Sequence, residues 1–232
     1  MGAPLYDISL YYDGNEIKDN AKDDFRRIAN YVCDFYHQMF FGYKPPGTGR
    51  ICIHLGMEEV YKRPLYTGAI CTIGWPIDEE EYLSLKRQDQ MFYILRLVHE
   101  VCLELCSMLG WERPAFDNAY NRVVDNKLIF SLRYPSKLSR DRQASVSVII
   151  DKTVDSSSLK LEIVKDGRKE EVILFTKRNW FSYDTVYEFA KNTRWIDKST
   201  FSLSSESRGK LISYSIEERI VKGDTRFLDE DF

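Results

Sequence analysis

Between Arg87 and Leu109 apolar residues return at the three-and-four spacing of one helical face: Met91, Ile94, Leu95, Val98, Val101, Cys102, Leu105, Met108 and Leu109. Arg96, Glu100 and Glu104 stack on the opposite side, while Phe92, Leu97 and Leu103 widen the stripe beyond a coiled-coil seam. This pattern predicts a core helix covered by more than one neighbour. Gly110 closes it where a left-handed residue costs least, and Pro114 follows. A second amphipathic helix is expected from Asn20 onwards through Ala21, Phe25, Ile28, Val32, Phe35, Tyr36 and Met39, stopped by Gly42 and Pro45-Pro46-Gly47. Asp78 reads as the N-cap of an acidic first turn, Glu79 to Glu81, and residues Ala115 to Asp125 as a further helix.

Strand periodicity is sparse at first and then dominates. Tyr6, Ile8, Leu10 and Tyr12 alternate with Asp7, Ser9 and Tyr11; Ile51, Ile53 and Leu55 form a second short run, and Tyr66 to Ile73 a third. Beyond Asp125 the period of two takes over in Leu128 to Tyr134, Val146 to Ile150, Leu159 to Ile163, Val172 to Leu174, Phe201 to Leu203 and Leu211 to Ile216. Asp166-Gly167 between alternating runs is a hairpin signal. A two-residue turn there sets Glu162 opposite Glu171, an unfavourable pair that a bulged loop would relieve by shifting the register by one. Asp184 is placed to cap a helix from Thr185 to Asn192. The expected fold class is therefore α+β, with helices packed on one face of a largely antiparallel sheet. One domain over residues 1–232 is expected, helix-rich over 1–126 and a β-meander over 127–232.

Composition narrows the class without identifying it. The chain has 232 residues, 44% hydrophobic and 30% charged, as soluble globular proteins do. Its five cysteines, Cys33, Cys52, Cys71, Cys102 and Cys106, are odd in number and sit inside apolar segments, which argues against a disulfide scaffold. With no basic leader and no apolar run long enough to span a bilayer, a cytoplasmic location without membrane association is expected. Charge is uneven. Residues 1–126 carry 13 Lys/Arg against 19 Asp/Glu, residues 127–178 carry 12 against 7, and residues 179–232 carry 8 against 10.

Each candidate catalytic motif lacks a necessary part. Lys44 to Arg50 resembles the phosphate loop of AAA-type ATPases over a few residues, but Arg50 and Ile51 stand where the chemistry needs Lys and Ser or Thr. The loop also follows a helix and opens a strand, the reverse of the required context. His99-Glu100 matches the start of a metalloprotease helix, yet Leu103 occupies the place of the second zinc ligand. Cys102 and Cys106 lie one turn apart without a second pair, and no Gly-x-Ser-x-Gly elbow occurs. No catalytic, cofactor or metal-binding residue is assigned, and no cofactor is expected.

Three stretches have the composition of contact surfaces. Arg133, Lys137, Arg140 and Arg142 share a loop with a single acid, Asp141. Trp180, Phe181 and Tyr183 begin an aromatic segment that continues through Tyr187, Phe189 and Trp195. Asp229, Glu230 and Asp231 give the tail an acidic end. The sequence therefore favours a non-catalytic protein that binds another protein, with a bacterial immunity protein or antitoxin that blocks a toxin domain as the specific form. A hydrolase related to zincins, using His99 and Glu100, is the alternative. RNA binding through residues 133–142 is a third reading, weakened by a sequence pI of 5.8.

Overall fold

The computed structural model of the chain describes residues 4–14, 17, 19–153, 155–177 and 185–225. The fold is mixed α+β, with five helices and three sheets among the described residues. The chain divides into two compact units, Met1–Leu128 and Ile129–Phe232, close to the change from helical to strand periodicity.

The first unit runs β1 (Asp7–Tyr12), α1 (Asp19–Gln38), β2 (Arg50–Leu55), β3 (Leu65–Thr67), β4 (Ile70–Trp75), α2 (Glu79–Ser84), α3 (Arg87–Leu109) and α4 (Arg113–Asp125). Its sheet has the order β1-β2-β4-β3. Here the sheet departs from the antiparallel expectation: β1, β2 and β4 are parallel, and only β3 runs against its neighbour. The cause is connectivity. The α1 crossover returns the chain to the same end of the sheet before β2, so β2 must run alongside β1 in the same direction. The third expected strand, Tyr66 to Ile73, is in fact a tight hairpin, turned at Gly68 with φ +61. Gly68 supplies the left-handed residue that separates β3 from β4.

Sheet alternation sorts the side chains. Ile8 and Leu10 of β1, Ile51, Ile53 and Leu55 of β2, and Cys71 and Ile73 of β4 are buried, as are Phe25, Ile28, Val32 and Phe35 of α1. Helix α3 has the predicted bounds and buries Met91, Ile94, Leu95, Val98, Val101, Cys102 and Leu105. Gly110 caps it at φ +67 and donates its N–H to the Cys106 carbonyl. Asp78 caps α2 by accepting from the Glu81 N–H at 2.8 Å. All five cysteines are free and buried in this unit. Burial pushes the Cys33 and Cys102 thiols well up and holds that of Cys106 at about 11.

The second unit contains β5 (Phe130–Arg133), β6 (Lys137–Leu138), β7 (Ala144–Lys152), β8 (Ser157–Lys165), β9 (Arg168–Lys177), α5 (Thr185–Lys191), β10 (Thr193–Trp195), β11 (Thr200–Ser205), β12 (Lys210–Ser215) and β13 (Ile220–Lys222). These strands form two antiparallel sheets, β5-β7-β8-β9 with β6 beside β7, and β10-β11-β12-β13. The single sheet expected from periodicity is therefore replaced by three across the chain. Val146, Val148, Ile150, Leu159, Leu161 and Ile163 line the buried side of the first sheet, and Phe201, Leu203 and Ile212 are buried in the second. Asp166 and Gly167, at φ +52 and +72, make the two-residue turn, and Glu162 stands opposite Glu171. The register shift lies farther along, at Leu159/Lys160. Among the described residues no helix is long and apolar enough to cross a membrane.

Candidate partner-binding surface

The basic loop is a structured hairpin. After β5, Pro135 interrupts pairing, and the short β6 then joins β7 through the register Lys137↔Val146 and Leu138↔Ser145. The turn between them is braced from within. Ser139 Oγ donates to Asp141 Oδ1 at 2.6 Å, the Gln143 N–H donates to the same oxygen at 3.1 Å, and the Ala144 N–H donates to Ser139 Oγ at 3.0 Å. The Ser139 hydroxyl, which contributes most, and the Gln143 N–H hold the Asp141 carboxyl below its ordinary pKa. Arg142 takes a left-handed conformation, φ +60. Arg140 and Arg142 are exposed on either side of Asp141, and neither has an ion-pair partner among the described residues.

The four basic residues of this loop separate in three dimensions. Arg133 pairs in register with Ile149, and Lys137 with Val146, so the alternation of β7 sends them to opposite faces. Lys137 Nζ donates to the Thr193 carbonyl at 2.5 Å, and Trp195 Nε1 donates to the Lys137 carbonyl at 3.0 Å. Trp195 is held edge-on to Phe201, with ring centroids 5.4 Å apart. The hairpin is thereby pinned to β10. Leu138, on its other flank, is 61% exposed.

Arg133 is committed elsewhere. It forms a two-pronged pair with Glu162, to which Lys169 adds a second cation. The Arg133 hydrogen bonds are the main reason that the Glu162 carboxyl titrates at about 2. Beside this pair is a shallow groove of about 440 Å³, lined by Arg133, Tyr134, Pro135, Ser145 and Val164 among others. Of the aromatic segment, Phe189 and Tyr187 are buried, so these two serve packing. Trp180, Phe181, Tyr183, Asp184, Asp229, Glu230 and Asp231 lie outside the described residues.

His99 is half-buried in the first unit. Its Nδ1 is 2.9 Å from the Tyr36 hydroxyl, its Nε2 is 3.3 Å from Asp117 Oδ1, and its ring stacks on Tyr120 at 4.3 Å. Burial lowers its pKa and outweighs the opposing pull of Asp117. Both ring nitrogens thus have protein partners, Asp117 at Nε2 and the Tyr36 hydroxyl at Nδ1. Glu100 does not share this cluster, being 4.0 Å from Arg96 instead. No group of three or more metal-ligating side chains forms among the described residues.

One polar constellation on the first sheet lies outside the surfaces singled out by composition. Asp7, Ser9 and Tyr11 of β1 stand beside Arg50, Cys52 and His54 of β2 on the face opposite Ile8, Leu10, Ile51 and Ile53, with Asp7 and Cys52 buried there. Arg50 reaches Asp7 at 2.8 Å, Ser9 Oγ at 2.9 Å and the Tyr11 hydroxyl at 2.9 Å. His54 Nδ1 lies 2.8 Å from Asp13 Oδ2, and its ring stacks on Tyr11 at 4.9 Å. This contact ties the end of β1 to β2. The signal was legible as two polar tracks with a period of two. Comparison with protein-family models, curated proteins and solved structures gives no match for the chain.

Proposed function

We propose that the chain acts by binding an acidic surface on another protein, with Arg140 and Arg142 at the centre of its contact surface. The observation that carries this reading is a pair of exposed guanidinium groups on a braced turn, with no ion-pair partner among the described residues. Asp141, the acid between them, is held by Ser139 and Gln143. Arginines in this state keep their planar donor set for a partner's carboxylates, and Arg is enriched at interface hot spots. The specific form proposed is an immunity protein or antitoxin, which occludes the active site of a toxin domain in the cytoplasm. Its support is the pairing of a basic contact surface with the absence of a complete catalytic motif from the sequence.

The test compares the wild-type chain with the double variant Arg140→Ala/Arg142→Ala as bait in gentle extracts of the source cells. The reading expects a stoichiometric protein partner held by the wild type and lost by the variant. Equal retention by both baits overturns it. Capture of RNA, with an affinity that falls steeply with salt and a slope that the variant flattens, would replace it with nucleic-acid binding.

A further inference from the structure

In the first unit β1, β2 and β4 run parallel, so their carboxyl ends share one edge of the sheet. At the end of β4 the first unit has a pocket of about 310 Å³, between the Trp75-Pro76 exit and the outer side of α3. Trp75, Pro76 and Leu97 supply apolar wall. Tyr93 fixes one side: its hydroxyl accepts from the Asp78 N–H at 3.1 Å and donates to the Asp78 carbonyl at 3.3 Å.

Opposite charges converge on this pocket in long, solvent-exposed ion pairs. Arg96 and Glu100 both line it, one helical turn apart on α3, and their closest approach is 4.0 Å. Arg96 also donates to Glu81 Oε1 at 3.5 Å, and its guanidinium lies over the Tyr93 ring at 5.3 Å. The side chains of Arg96 and Glu100 are 54% and 56% exposed, so neither is fixed in a desolvated pair. A ligand bearing a carboxylate next to an ammonium can replace the 4.0 Å Arg96–Glu100 contact with two short, charge-assisted ones, carboxylate to Arg96 and ammonium to Glu100. The apolar wall then accepts a hydrocarbon side chain, and the volume is of small-molecule size.

The geometry points to a binding site for a free α-amino acid with an apolar side chain, held by Arg96 and Glu100 against Trp75 and Leu97. This site is separate in residues from the basic hairpin and does not depend on it.

The test is an NMR titration of the isotope-labelled full chain with L-leucine up to about 10 mM, following the Trp75 indole N–H and the Arg96 amide. The expected result is a saturable shift of both signals with L-leucine, at least tenfold weaker with N-acetyl-leucine and with leucinamide. Glu100→Gln and Arg96→Gln, both at exposed positions, should each weaken binding by tenfold or more. Arg96→Gln should also remove the preference for leucine over leucinamide. No saturable shift with leucine, equal shifts with the two blocked analogues, or unchanged binding in both variants overturns the proposal.

Discussion

Glu162 faces a like charge in Glu171 across the hairpin, and an isolated pair of this kind is destabilising. The structure keeps the turn and brings Arg133 and Lys169 to the same carboxylate. The folded-state pKa of Glu162, about 2, lies below its ordinary 4.5. Its contribution to stability is therefore complete above about 4.5 and is lost as pH falls towards 2. Urea midpoints of wild type and Glu162→Gln should differ near neutrality and converge at the acid end of that window. A gap that stays constant across the window would show that the pair adds no pH-dependent stability. His99 teaches a similar lesson about context. Beside Glu100 in the sequence it matches the start of a metal-binding helix, and in the fold its ring nitrogens lie against Tyr36 and Asp117.

Elements were most legible where one short stretch decides them. The α3 stripe, its Gly110 cap and the Asp78 cap were all local signals, as was the Asp166-Gly167 turn. Gly167 sits at φ +72 with open space around the position of a Cβ, so Gly167→Ala has no clash to make and only backbone strain to impose. The expected loss is about 1 kcal/mol in chemical denaturation, with the β8-β9 register kept. A loss several times larger would mean that the turn sets the register by itself. What escaped the sequence was pairing between distant segments. Nothing within β1 or β2 states that they run parallel, because that follows from the α1 crossover between them. The Asp13–His54 contact was hidden for the same reason, its members being 41 residues apart. The basic loop was visible as composition, but its division depended on the β7 register, which sends Arg133 and Lys137 to opposite faces.

At the scale of the whole chain, a net charge of −3 conceals a positive middle segment, and the hairpin carrying Arg140 and Arg142 belongs to it. Solubility is governed by the sum, whereas recognition is governed by the local field, so a mildly acidic protein can still present a cationic contact. The two units also differ in a way that composition averages away: every cysteine lies before residue 128, and all five are buried. A protonated thiol inside a core reacts with an alkylating reagent only when the surrounding structure opens. Trapping with iodoacetamide, read by mass, therefore makes the first unit its own clock, timing its opening while unfolding confined to residues 129–232 passes unrecorded. Rapid modification of several thiols under native conditions would show that the interior around α3 breathes far more readily than its packing implies.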